Sequence, residues 1–371
     1  MTKKFLTAMM MMISLMFAQS DYFNKETVKP FIFSVLDAEK DYENPNAEKS
    51  TNFHLTLFSG RVKNVYGLQL GLIANSVSGD FLGLDATGIY SGIKGNFAGY
   101  QTSGIVGKIE GEVTGIQESG IYSYAGGNFL GIQNTGIAGK IAGDLQGLQL
   151  SGIVSTAEEV RGGQFSGIVN NAKDVVGLQH SGIVNNALDV TGVQAAGIIN
   201  NAGHVRGVQV GLINRSKKLD GIALGLINIS DEGRVHPTAW AGGASDYQAG
   251  LKFAPNNYWY SVLSVGDIQD SEKLGNCHTI HSYVGLQYSM TKRFWIAGDI
   301  GSGIALPYNL DKWEDKESIW GIFESRISAG FQIFERLSIY GGISHSYLGH
   351  DDNHEEYDEF EKSRPFFGIQ F

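Results

Sequence analysis

Between Val65 and Ile227 the apolar and polar positions recur on a fixed short beat: Gly-apolar-Gln, then a second Gly followed by a branched apolar residue, eleven times over. The leading glycines stand at 67, 83, 99, 115, 131 and 147, then 162, 177, 192 and 207, then 221, so the period shortens from sixteen residues to fifteen and then fourteen. Self-similarity at so short a period predicts a stacked β-solenoid. Two residues before the leading Gly the chain holds only apolar residues, from Val65, Phe81 and Phe97 to Val205 and Leu219. One residue after it stand Leu68, Leu84, Tyr100, Ile116 and their successors, with Gly163 the one gap. The eight central repeats carry isoleucine after the second Gly, from Ile89 to Ile198, and a fourth position reads Ile93, Ile109, Ala125, Ile141 and later Ala202. These four positions per turn are expected to face inward and form a narrow core.

Between them Gln69, Gln101, Gln117, Gln133, Gln149, Gln164, Gln179, Gln194 and Gln209 recur at one site, and Asn170, Asn185 and Asn200 at another. In a parallel stack identical amides lie about 4.8 Å apart and can bond up and down the pile. A structural ladder is therefore expected in preference to a sugar-binding row. The glycines are expected to supply corner conformations with positive φ. Paired membrane strands are excluded, because one alone needs about nine to eleven residues. Helices are excluded by the glycine content and by an apolar spacing that does not follow 3.6. Counting Asn52 to Val62 as a degenerate first turn gives twelve turns, or roughly 58 Å at about 4.8 Å each.

The ends differ from the repeats. Lys3 and Lys4 precede an apolar run from Phe5 to Phe17 and an Ala18-Gln19-Ser20 cleavage pattern, which predicts an export signal over residues 1–20. After Pro237 longer alternating strands begin: Tyr247, Ala249, Leu251 and Phe253 against Gln248, Gly250 and Lys252, and similarly around 284–290, 327–333 and 337–343. Tight turns at Ala254–Asn257, Thr291-Lys292 and Glu335-Arg336 alternate with polar loops expected at about 267–279, 307–318 and 349–364. Short turns on one side and long loops on the other are the asymmetry of outer-membrane barrels. Tyr258, Trp259, Tyr260, Phe294, Trp295 and Trp320 suit its interfacial girdles. Seven strands from residue 238 onward leave an even-numbered barrel one short, so Pro30–Leu36 is expected to be its first strand. By that parity the solenoid would be inserted on the cell-surface side.

The unit Gly-Leu/Val-Gln-x-Gly-Leu/Ile-x-Asn, as in Gly207-Val208-Gln209-Val210-Gly211-Leu212-Ile213-Asn214, resembles that of a family of bacterial surface-repeat proteins of largely unassigned function. The resemblance covers about residues 52–230. It implies a surface location and brings no catalytic residue. The central units depart from it by one extra residue before the second Gly, as in Gln179-His180-Ser181-Gly182. The last segment, Phe366-Phe367-Gly368-Ile369-Gln370-Phe371, resembles the terminal recognition strand of bacterial outer-membrane barrels.

Candidate chemistry is sparse. A net charge of −10 without a basic stripe argues against nucleic acid as a partner. Cys277, His278 and His281 are potential soft-metal ligands without a second pair nearby, and the acidic run between His350 and Glu361 is expected to be a solvated loop. Asp299, Glu324 and Arg326 would meet inside a small barrel, which side chains fill. Glu110, Glu112, Glu118, Asp144, Glu158 and Glu159 form no clustered pair for hydrolysis.

The expectation is thus an all-β chain: signal peptide 1–20, an N-terminal segment 21–51 with a first barrel strand, a β-solenoid of about twelve 14–16-residue turns over 52–236, and about eight antiparallel transmembrane strands completed by 237–371. No catalytic, cofactor or metal residue is assigned. The expected role is non-enzymatic: a surface rod, structural or adhesion-like, in contact with outer-membrane lipid and an extracellular protein or glycan. A soluble periplasmic or secreted solenoid, or a solenoid enzyme acting on polysaccharide, are the rival readings.

Overall fold

The computed structural model describes residues 28–37, 46–271, 275–308, 320–349 and 359–371. The expected export signal at 1–20, most of the 307–318 loop and the acidic stretch 350–358 lie outside these residues. Among them there is no helix; the chain forms strands β1–β22 between Lys29 and Ser230 and β23–β30 between Arg234 and Gln370. Two compact units divide it, Met1–Gly182 and Ile183–Phe371. About twelve solenoid turns are shared out between the units, and the second also holds a closed barrel.

In the first unit each turn has a long strand and a short one, as in β5 (Phe81–Thr87) and β6 (Tyr90–Ile93). Long strands pair in parallel with long strands of neighbouring turns and short with short, in strict register, so Gln117 lies opposite Gln133 and Gln133 opposite Gln149. The pleat decides what is inside. Side chains alternate along a strand, so in β9 (Val113–Ser119) Val113, Gln117 and Ser119 point inward and are buried. Two of the four expected inward columns are indeed inside: the one led by Val65 and Phe81, and the one led by Ile93 and Ile109. The other two are corrected. The residue after the leading Gly is one step out of phase with the glutamine, so Leu84 is 53% exposed, and the isoleucine after the second Gly sits on an outer corner, where Ile121 is 44% exposed.

The glutamines fill the space instead and are fully buried, which closes them to any sugar. Gln117, Gln133, Gln149, Gln164 and Gln179 each donate from Nε2 to the Oε1 of the preceding turn's glutamine at 2.8–2.9 Å. Gln149 and Gln164 also donate to Thr156 and Asn171 carbonyls in the facing short strands, which ties the two sheets together. The leading glycines are not at corners. Gly115 lies inside β9 with φ +135°, where a Cβ would stand 1.9 Å from the Gly99 carbonyl oxygen. The corner position belongs to the second glycine: Gly120 would bring a Cβ to 2.1 Å from the Gly104 oxygen.

One position breaks the glutamine column. Asp85 takes the place of glutamine, and because a carboxylate only accepts, both neighbours turn toward it. Gln69 donates to Oδ1 at 3.0 Å and Gln101 to Oδ2 at 3.2 Å, with Thr87 and Ser91 hydroxyls completing the shell. Gln69, reversed, offers its Oε1 to the N–H at Nδ1 of His54, whose Nε2 accepts from Ser34 and Thr56. Burial holds His54 below its ordinary value, in keeping with this neutral ring, and pushes the Asp85 carboxyl up while its four donors pull against that shift.

Ser34 belongs to β1 (Lys29–Leu36), which runs parallel to β2 (Thr51–Val62) with Phe31 opposite Phe53. The expectation that Pro30–Leu36 begins the barrel is therefore corrected: the segment pairs with the first solenoid turn. The barrel closes from β23 (Arg234–Gly242), β24 (Tyr247–Ala254), β25 (Trp259–Ser271), β26 (Gly275–Ser289), β27 (Phe294–Pro307), β28 (Trp320–Phe334), β29 (Leu337–Gly349) and β30 (Glu359–Gln370). A strand is expected to return near Ala239 after Pro237, but β23 begins at Arg234 and takes in the proline, a residue that weakens a strand assignment. Its carbonyl accepts from the Phe371 N–H at the seam with β30. Strands also extend into the expected loops: β25 and β26 pair as far as Ser271 with Gly275, and β30 starts at Glu359.

Two outcomes are expected. Gly115→Ala, which adds both overlap and a strained φ, makes the first unit protease-sensitive in limited proteolysis, whereas Thr114→Ala on the outer face does not. Asp85→Gln restores the uniform column. For an acid whose folded-state value is raised, stability falls as pH rises above the unfolded value of about 4. The stability advantage of Asp85→Gln over the wild type in urea unfolding should therefore be larger at pH 7 than at pH 4.

Candidate functional site

Barrel strands turn the usual polarity of a protein inside out. Facing outward, β28 presents Phe323, Ile327, Ala329, Phe331 and Ile333, and Ile327 is 76% exposed. Outward residues of β26 run from Ile280 to Tyr288, broken by Ser282, and those of β27 from Phe294 to Ile304, broken by Gly298 and Ser302. Such runs match the roughly nine to eleven residues of a membrane-crossing strand. The expected aromatic girdle is partly corrected. Tyr258 and Phe294 are exposed, but Tyr260 and Trp295 point into the lumen, Trp259 is covered, and Trp320 packs beside an inner cluster. Tyr247, Tyr288, Phe334 and Phe367 are the exposed rings instead.

The lumen is polar and filled. Arg326 makes a two-pronged ion pair with Asp299, Nε to Oδ1 at 2.7 Å and an η nitrogen to Oδ2 at 3.1 Å, and Tyr260 donates its hydroxyl to Oδ2 at 2.6 Å. The guanidinium lies 3.6 Å over the Tyr283 ring. Glu324 accepts from the Tyr283 hydroxyl at 2.6 Å and from the Ala244 N–H at 2.9 Å. Lys252 donates to Gln287 and stands 4.0 Å over the Tyr260 ring. Two cations and two carboxylates thus share the core, each charge held by hydrogen bonds or a ring face. Asp299, Glu324 and Arg326 come together as expected. Tyr260, expected in the girdle, joins them here, and so do Lys252 and Tyr283, which lie on the polar side of their strands in the alternation.

The other candidate chemistry is dispersed. Along β26 the side chains alternate, so buried Cys277 and His281 face the lumen while His278 faces out, bonded to Asp267 and stacked on Tyr308. These residues therefore do not converge on one point. Among the described residues no group of three His, Cys, Asp or Glu side chains is arranged to hold a metal ion. In the solenoid Glu118 accepts from Tyr100 on one turn, and on another the adjacent Glu158 and Glu159 are each engaged separately, by Lys173 and by Arg161.

A third arrangement is announced in the sequence only by the recurrence of Asn170, Asn185 and Asn200. In the second unit an asparagine column runs toward the C-terminal end: Asn185, Asn200 and Asn214 each donate to the Oδ1 of the next turn's asparagine at 2.8–3.0 Å. Asn228 ends the column by donating to Ser261 of β25 at 2.8 Å. Beside it the β24–β25 turn covers carbonyls of β21 (Ile213–Leu224) that would otherwise await another turn. Asn256 and Tyr258 donate to Gly221, and Trp259 Nε1 to Ala223 at 2.7 Å. The barrel wall is therefore the cap of the last repeat.

Removing one partner of a buried ion pair costs about 3–5 kcal/mol, whereas replacing both with apolar residues can be neutral. Asp299→Leu alone is expected to lower the melting temperature in detergent, and Asp299→Leu with Arg326→Met to recover most of the loss. Comparison of the chain with protein-family models, with curated proteins and with solved structures finds no match.

Proposed function

We propose that this chain is a non-enzymatic outer-membrane protein whose eight-stranded barrel anchors a repeat solenoid with a structural or binding role. The observation that carries the reading is the barrel's inverted polarity: an apolar outer belt around a lumen filled by Arg326, Asp299, Glu324 and Lys252. A soluble barrel has no reason to leave Ile327, Ile343 and Phe367 at two-thirds exposure or more. The packed lumen supports an anchor and not a pore.

The corrected strand count reverses the expected side. Three turns, 255–258, 290–293 and 335–336, lie at the end of the barrel where β23 begins; at the opposite end β23 turns into β24 over 243–246, while twelve residues separate β27 from β28 and nine separate β29 from β30 in the sequence. Short turns mark the periplasmic face of outer-membrane barrels. The chain enters the barrel at that end, so the proposal puts the repeats on the periplasmic side, where they would act as a scaffold or contact surface below the membrane.

The test is protease treatment of cells carrying an epitope after Asn186, together with membrane fractionation. The epitope is expected to survive in intact cells, to be lost once the outer membrane is permeabilised, and to fractionate with a carbonate-resistant membrane pellet. Cleavage in intact cells would put the repeats outside, and recovery in the soluble fraction would overturn the anchor itself.

A further inference from the structure

The corner isoleucines have no task inside the fold. Sequence pattern alone puts them in the core, yet the structure puts them on one edge of the solenoid, where Ile183, Ile198, Leu212 and Leu226 of the second unit remain 36–46% exposed. They stack one per turn: the Ile198 N–H donates to the Ile183 carbonyl and the Leu226 N–H to the Leu212 carbonyl. Ile89 through Ile168 hold the same corner position in the first unit, with exposures of 39–44%. Across the turn the opposite corners are polar or charged, with Lys217, Lys218, Asp231 and Glu232 in the second unit and Lys94, Glu110, Glu112 and Asp144 in the first. The exception is Leu188, which is exposed on that side.

The contacts of the last turn show which way the aliphatic edge points. Following β21 forward, Gly221 meets Asn256 and Tyr258 in the short turn, and Ala223 meets Trp259 one step up the barrel strand. Beyond the corner at Gly225-Leu226 the chain returns as β22 (Ile227–Ser230), and Asn228 meets Ser261, two residues higher still. The strand that leads to the corner therefore climbs the outer wall away from the short turns, and the corner faces the apolar belt. The level is fixed as well. Trp259 pairs across β25–β26 with Leu286, which is 57% exposed, and Ser261 pairs with Val284. Thus the last turn sits beside side chains that face lipid if the barrel spans a membrane.

We propose that the isoleucine-leucine edge of the second unit is a lipid-contacting edge, by which that unit's solenoid turns lie against the same bilayer leaflet that surrounds the short-turn end of the barrel. The occupant is a phospholipid surface: aliphatic side chains enter the boundary between headgroups and acyl chains while the charged corners stay in water. An interfacial element of this kind buries its apolar face about 5–10 Å deep. A single leucine would bind weakly, but one branched side chain per turn, every 4.8 Å or so, gives a row whose small contributions add. The exposed corners also explain why branched residues recur at a position that the packing of the solenoid does not require.

This inference rests on the membrane reading of the barrel, and its test separates the two. The full-length protein, with Cys277→Ala as background, is reconstituted in phosphatidylcholine-phosphatidylglycerol nanodiscs and labelled at one introduced cysteine with an environment-sensitive fluorophore. Ile198→Cys and Leu226→Cys report the edge, Lys218→Cys the opposite corner, and Ile327→Cys the barrel belt. Brominated phospholipid is expected to quench the two edge labels and the belt label and to leave the Lys218 position bright. Quenching at the belt with none at the edge overturns the lipid-contacting edge and leaves the anchor standing. Absence of quenching at the belt overturns both. A second variant, Ile198→Ser with Leu212→Ser, changes only exposed side chains and should keep the fold by circular dichroism while raising protease sensitivity of the repeats in nanodiscs. Equal sensitivity to the parent protein counts against the proposal.

Discussion

Buried amides set the register on which the stack depends. A glutamine closed off from water must find its partners within the protein, because a lost hydrogen bond to a buried group costs about 1–3 kcal/mol while a made one contributes only about 1. One amide per turn, at the 4.8 Å spacing of paired strands, meets this demand only if every turn repeats in step. A slip of one residue would exchange the glutamine for its outward neighbours and leave the column broken. That explains how the period can shorten from sixteen to fourteen residues while Gln101, Gln149 and Gln209 keep their place. The step from sixteen to fifteen takes a residue from the corner before Val160, whereas the step to fourteen takes the residue before the second Gly, so the inward series through Ser119 and Ser181 ends at Ala196 while the glutamine column continues. Asp85 belongs to the same logic: a side chain without a donor can stand in the column only where both neighbours point toward it.

The glutamine and asparagine columns run in opposite senses. Glutamines donate toward the N-terminal end and asparagines toward the C-terminal end, so within the second unit the Gln209–Gln194 bond opposes the Asn185-to-Asn228 series. Aligned amides would otherwise sum to a dipole along the stack, as peptide groups do in a helix. Where both columns run, in the second unit, they oppose each other. The barrel solves its own electrostatic problem differently, by pairing charges across a lumen that side chains line and largely fill.

Much of the architecture was legible because it is periodic. The repeat gave the number of turns and the glutamine ladder, and the alternation gave the antiparallel barrel strands and the meeting of Asp299, Glu324 and Arg326, whereas the solenoid ends at Ser230 and the stretch up to Pro237 already belongs to β23. What misled was the equation of apolar with inward. Leu84 and Ile121 are exposed because the pleat and the glycine corner decide direction, and hydrophobicity does not override them. Pro237 concealed the start of β23 because its missing N–H argues against a strand in general, though here it sits below the stretch that pairs with β30, which begins at Thr238. Nothing in the sequence marked Ser261, a small polar residue on an outward barrel position, as the terminus of the asparagine column. Its meaning exists only once the two ends are brought together.

That terminus orders the assembly of the chain. Until β25 lies in place, Asn228 lacks the hydroxyl that ends its column, and the carbonyls of Gly221 and Ala223 lack the donors that β24–β25 supplies. The final repeat is therefore incomplete as an independent fragment and is finished by a strand that is itself held only when the barrel closes. Repeats added or removed elsewhere leave this junction untouched, whereas the last turn is committed to one partner. The stack can vary in length in its interior, but the turn that ends at Ser230 cannot be separated from the barrel that completes it.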